Sequence, residues 1–184
     1  MNDAGLEPLT TPRLRLRLPR SEDAAFLMRL MNDPDCLRFI GDRGIRTEQD
    51  AARYVEKQLT SFGMHGCGLF VVEAREDGVT TGICGLVRRP TLDSPDLGFA
   101  FLPEYRGRGY AVEAGACALE DARTRLKAQK ILAITDPENH ASIRVLERLG
   151  MVAAGIVNDA DGAGALRLFA WMAAPFVGSE QQHS

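Results

Sequence analysis

The segment of this chain best suited to chemistry is Arg106-Gly107-Arg108-Gly109-Tyr110-Ala111. It follows an apolar run over 96–102 that Pro103 stops, and it leads into a helical pattern. Glycines at 107 and 109 let the backbone turn tightly and leave no side chain to block an approaching ligand. A helix that starts there presents unpaired N–H groups and the positive end of its dipole. Together these features make an anion site suited to a diphosphate. Arg106 and Arg108 add positive charge locally. The segment is not a P-loop, because no Lys-Ser/Thr pair follows at the required spacing. It is not a dinucleotide fingerprint either, since Gly107 and Gly109 supply only the first glycine pair and position 112 is Val. Taken alone, the same residues also read as a tight strand-to-helix turn with solvated arginines.

Other reactive constellations are poorly represented. The histidines are His65, His140 and His183, which give no support to a Ser-His-Asp triad or a histidine metal site. Cys36, Cys67, Cys84 and Cys117 form no C-x-x-C pair and stand at no zinc-ligand spacing to a histidine. They read as reduced, packed thiols in a reducing compartment. The net charge of −3 lacks the basic excess of a nucleic-acid binder. The 184 residues are 45% hydrophobic and 26% charged, an ordinary composition for one soluble domain with its own core. The early arginines have no apolar run beside them, so no signal peptide is expected, and no stretch approaches the length of a spanning helix. The expectation is a cytoplasmic protein with no membrane partner.

The pattern around the glycine turn supplies the elements that position it. Residues 1–11 read as a frayed lead-in. Arg13-Leu14-Arg15-Leu16-Arg17-Leu18 alternates strictly, which places three leucines on one face of a strand and three arginines on a solvated face. Ser21 is expected to cap a helix over 21–31. Pro34, Gly41 and Gly44 make 33–46 a loop. Thr47 and Asp50 have capping-box spacing and open a helix over 47–62. Strands follow over 69–74 and 82–87, joined by Glu76-Asp77-Gly78. A strand over 96–102, a helix over 108–126 with a face of small residues, and a strand over 131–135 form a β-α-β unit. Asn139 starts a helix that Gly150 ends. Strands over 152–157 and 166–172 close the chain through a hairpin at 159–162. The reading is an α/β (α+β) chain with a mixed, mostly antiparallel sheet and helices on both faces, forming a single domain over 10–175 with flexible termini at 1–9 and 176–184.

Arg106-x-x-Gly109-x-Ala111 after a strand ending in Pro103 resembles the pyrophosphate motif of the GNAT superfamily of N-acetyltransferases. Asn139-x-x-Ser142-x-x-Val145-Leu146-Glu147-Arg148-Leu149-Gly150-Met151 resembles the next helix of the same superfamily, closest to its RimJ/RimL-type branch. The resemblance extends over about 10–172 and is strongest over 96–151. Met151 stands where that branch has Phe.

The resemblance implies that acetyl-CoA binds where the strands at 96–102 and 131–135 splay apart. Backbone groups near Phe99 and Phe101 would bond its pantetheine arm like an added strand. N–H groups of Arg106, Gly107, Arg108, Gly109, Tyr110 and Ala111 would hold the pyrophosphate. Asn139 would face the arm from the far side, and it also suits a helix N-cap. The implied reaction is direct attack of an amine on the thioester, with an N–H from 99–101 serving the oxyanion. Asp96 occupies the place of a carboxylate base, although Ser94-Pro95 before it also suits an exposed turn residue. Ser142 matches a serine near the CoA sulfur, or else makes a local helix bond. The tyrosine acid of many relatives is replaced by Leu146. Tyr105 and Tyr110 read mainly as packing.

The acceptor, a peptide N-terminus or a small-molecule amine, would meet loops 33–46 and 157–165. The acidic residues of the second loop, Asp159 and Asp161, lean toward a cationic amine. Alternatives are an acyl-CoA-binding module without turnover and transfer of a different acyl group. No nucleic-acid partner or metal is expected, and either a monomer or a homodimer fits.

Overall fold

The computed structural model describes residues 6–158 and 164–173. The strands are β1 (Leu9–Thr10), β2 (Leu14–Arg17), β3 (Leu69–Ala74), β4 (Thr80–Val87), β5 (Asp96–Phe101), β6 (Lys130–Thr135), β7 (Val152–Asn158) and β8 (Ala165–Met172). The helices are α1 (Ala24–Met31), α2 (Pro34–Phe39), α3 (Glu48–His65), α4 (Tyr110–Thr124) and α5 (His140–Arg148). One eight-stranded sheet runs in the order β1-β2-β3-β4-β5-β6-β8-β7. Among the described residues only β5 and β6 pair in parallel, and every other neighbouring pair is antiparallel.

Alternation along the strands splits the core into two layers. Leu14, Leu16, Val72, Cys84, Leu97 and Phe101 face α4 and α5. Val71, Ile83 and Ala100 face α1 and α3. Helix α4 lies close to the sheet because its inward residues are small: Ala114, Ala118 and Ala122 are buried. A Cβ at Gly115 would lie 2.7 Å from Leu149 Cδ1, so glycine admits the end of α5. Helix α3 opens as its sequence predicts. The Thr47 side chain accepts from the Asp50 N–H, and the Asp50 carboxylate accepts from the Thr47 N–H at 2.9 Å.

Four local expectations differ from the structure. The lead-in is not wholly frayed: Leu9 and Thr10 pair with β2, and Leu6 and Leu9 pack on the core. Ser21 caps nothing. The chain makes a 3₁₀ turn over Ser21–Asp23, where the Asp23 carboxylate accepts from the Arg20 N–H at 2.7 Å. The loop at 33–46 contains α2, because Pro34 stands at its first turn, where no N–H is needed, and Asp33 caps it. Finally, Arg17 is not solvated. Its guanidinium donates to Asp23 at 2.8 and 2.7 Å and to Glu73. Burial works against its charge, but the two carboxylates outweigh burial and raise its pKa. The hairpin turn at 159–162 lies outside the described residues.

Candidate active site

The pairing of β5 is lopsided. It matches β4 along its whole length, from Asp96 opposite Val87 to Phe101 opposite Gly82. Against β6 it has the single pair Asp96 and Leu132. The Leu132 N–H also donates to the Pro95 carbonyl at 2.9 Å. The two parallel strands therefore meet at their N-terminal ends and part beyond them. The Leu102 N–H donates to the Thr81 carbonyl at 3.0 Å. By ladder alternation, even positions of β5 bond to β4, and Phe99 and Phe101 turn their N–H and C=O groups toward the parted strand. The Phe101 carbonyl accepts from Arg106 Nε at 2.8 Å.

The glycine turn lies beyond the open end of this gap. Gly107 and Gly109 take φ values of 72° and 80°, a region costly to other residues. A Cβ on Gly107 would meet nothing within 4 Å, so the turn faces open space. Gly109 is the N-cap of α4 and supplies no side-chain cap. The first helical bond runs from the Glu113 N–H to the Gly109 carbonyl at 3.0 Å. The N–H groups of Tyr110, Ala111 and Val112 precede that bond and lack intrahelical partners. Val112 was missing from the sequence assignment, since its side chain carries no signal.

The arginines of the turn do different work from that expected. Arg106 donates to Asp33, to Asp35 at 2.6 Å and to Phe101, so its guanidinium braces α2 against the end of β5. Arg108 lies over the Tyr105 ring at 5.3 Å, and Arg13 over the Tyr110 ring at 5.0 Å. The tyrosine rings stack at 6.4 Å, in keeping with their expected packing role. Arg13 also donates to the Arg108 carbonyl at 2.9 Å and to Glu113 at 2.6 Å. Burial alone would push the Glu113 carboxyl up. The bonds from Thr11 and Arg13 outweigh burial and hold it below the ordinary range. The one carboxylate in the first turn of α4 is thus neutralised locally.

Asn139 is the N-cap of α5, and its Oδ1 accepts from the Ser142 N–H at 3.0 Å. Both residues line a cavity of about 1260 Å³ that also takes in Phe99, Gly109 and Tyr54. His140 is exposed, as the first turn of α5 predicts. Leu146, at the position of the missing tyrosine acid, is buried.

Asp96 is not an exposed turn residue. It is 1% exposed and sits where β5 and β6 last touch. It shares a strand face with Ala100, and so points toward the α1 and α3 side. Both carboxylate oxygens accept from Arg89 Nε, at 3.0 and 3.1 Å. Burial pushes its pKa up; the Arg89 charge and hydrogen bond oppose the shift without cancelling it. Arg89 was missed from sequence because nothing local distinguishes it from Arg88.

The cysteines stand apart from this chemistry. All are free, and burial pushes the thiols of Cys36, Cys67, Cys84 and Cys117 up, away from thiolate reactivity. Among the described residues no group of His, Cys, Asp and Glu could hold a metal. No helix there is long and apolar enough to cross a membrane.

Residues 13–152 match the acetyltransferase (GNAT) domain family. An uncharacterized protein of Bacillus subtilis (strain 168), YkkB, is 32% identical over 146 residues, which are 78% of this chain and 84% of that protein. A spermidine N(1)-acetyltransferase of Escherichia coli (strain K12) is 25% identical over 143 residues, 77% of this chain and 74% of that one. The crystal structure of a ribosomal-protein-S5-alanine acetyltransferase from Vibrio fischeri superposes with a TM-score of 0.75 at 20% identity, covering 91% of this chain and 97% of its own, a likeness of fold. A sheet that opens at one parallel pair, a helix start free of caps beside the opening, and a match across most of the chain agree: this protein belongs to the GNAT acetyltransferase family.

Proposed function

We propose that the protein transfers the acetyl group of acetyl-CoA to a primary amine at the β5–β6 gap, with Asp96 as base and Ser142 as acid. The observation that carries this reading is the gap itself. Outward-turned groups of Phe99 and Phe101, the uncapped start of α4 and the buried Asp96 all border one cavity. The residues fit the nucleotide thioester. N–H groups from Gly107 to Val112 would hold its pyrophosphate, Phe99 and Asn139 would hold its arm, and the thioester supplies an activated acyl carbon.

The chain's own groups divide the proton work. Asp96 takes the proton from the attacking amine, through a water where its short side chain falls short. The raised affinity of Asp96 for protons suits a base, and Arg89 keeps it ionised enough to act. A backbone N–H from Phe99 to Phe101 serves the developing oxyanion. Ser142 relays a proton from solvent through its hydroxyl to the departing sulfur, while Asp96 returns the amine's proton to solvent, so both residues end as they began. A thiol-release assay across an amine panel tests the reading: acetyl-CoA-dependent release with at least one amine is expected. Arg89 on both oxygens of Asp96 favours a second reading, a CoA-binding module without turnover. That reading predicts saturable acetyl-CoA binding with no release.

We assign the fold to one domain over 10–175 in a cytoplasmic protein of the RimJ/RimL-like type, as a monomer or homodimer. Size-exclusion chromatography with light scattering decides the assembly.

A further inference from the structure

The α3 side of the cavity carries a charge pattern that the cofactor does not explain. The cofactor elements, α4 and α5, pack on one face of the sheet, while α3 packs on the other. On the α3 side the cavity is lined by Arg43 and Lys57, both exposed. The carboxylates lining that side have partners. Asp42 accepts from Arg46 at 2.6 Å and from the Gly44 N–H at 2.8 Å. Asp50 is held by Thr47 and Arg53. Asp96 is held by Arg89. The two cations are not matched in this way. Among the described residues the Arg43 side chain donates only to the Ile40 carbonyl, and Lys57 forms no ion pair.

We infer that the acceptor amine carries an anionic group, a carboxylate or a phosphate, which Arg43 and Lys57 hold while the amine is presented to Asp96. The inference rests on the transferase reading and names its substrate class. Charges on open surface do little, but charges of one sign lining a cleft focus their field and concentrate the opposite ion. The same field disfavours a polyamine. Tyr54 and Gln58 of α3 and Phe99 of β5 line the same cavity as these cations.

The test compares four amines with acetyl-CoA by thiol release: phosphoethanolamine, β-alanine, propylamine and spermidine. The anionic amines are expected to have at least about tenfold higher kcat/KM than propylamine and spermidine, the worth of one charged contact. The better of the two names phosphate or carboxylate. Lys57→Ala and Arg43→Ala should each remove most of that advantage through KM, with kcat/KM for propylamine unchanged. Rising salt should shrink it likewise. Equal or better use of spermidine, or an advantage that survives both substitutions, overturns the inference and leaves the transferase reading standing. If no amine turns over, the transferase reading fails, and calorimetry of phosphoethanolamine on the CoA-loaded protein decides the inference. Binding that Lys57→Ala weakens supports it; no binding overturns it.

Discussion

The two faces of the sheet are built on different principles. On the α4 and α5 face the proposed ligand meets backbone: N–H groups at a helix start, the open Gly107 and the outward edge of β5. On the α1 and α3 face it meets side chains brought from distant parts of the chain, such as Arg43, Tyr54, Lys57 and Asp96. Backbone recognition is compact in sequence and needs few residue types, chiefly glycine. Side-chain recognition is dispersed, and each contact can change without disturbing the fold. On the proposed placement the cofactor is met by the first face and the acceptor by the second.

This comparison breaks most directly at Gly109. Gly109→Glu adds a carboxylate to the helix start and forces a side chain into φ 80°, so calorimetry should show acetyl-CoA affinity falling by more than about a hundredfold. Unchanged affinity would remove the phosphate turn from the mechanism. Next in size is Asp96→Asn. It should lower kcat by about a hundredfold or more while leaving acetyl-CoA affinity in place. A parallel loss of affinity would mean that the acceptor side also builds the cofactor site.

The pH profile sharpens the same point. The base must be unprotonated, so the rate rises with pH through its pKa, and that limb should lie above the ordinary aspartate range. Arg89→Gln removes the charge that opposes the shift and should move the limb to higher pH. Movement to lower pH would show that another group titrates. Ser142→Ala should cost about tenfold in kcat, since solvent can protonate a thiolate. The smallest effect belongs to Arg106→Ala and Arg108→Ala. With Arg106 engaged by carboxylates and Arg108 against Tyr105, acetyl-CoA affinity should change by no more than about threefold, as expected of backbone recognition.

Legibility in the sequence follows the same division. Thr47 with Asp50, Asn139 as an N-cap, the small-residue face of α4 and the glycine turn are all local patterns, and each appears where the sequence predicts it. Arg106 was misread because its partners, Asp33 and Asp35, arrive from far along the chain. Arg17 was misread for the same reason: a strand's alternation shows two faces but not that Asp23 and Glu73 cover one of them. Proline at 34 looked like a breaker because only its Asp33 cap turns it into a helix start. The burial of Asp96 follows from its position at the β5–β6 contact, which no pattern around Ser94-Pro95 announces.

The single residue pair joining β5 to β6 makes the eight strands, in mechanical terms, two sheets stitched at one point. Strands β1 to β5 form one panel and β6, β8 and β7 the other, with α4 as the covalent strap between β5 and β6. On the proposed placement, the cofactor arm supplies the missing rungs as a strand of foreign chain. Binding then completes the sheet as well as filling a pocket. At a hundredfold excess over Kd such a ligand adds about 2.7 kcal/mol to stability. Slower amide exchange should appear first along β5 and β6, the two edges that the arm joins.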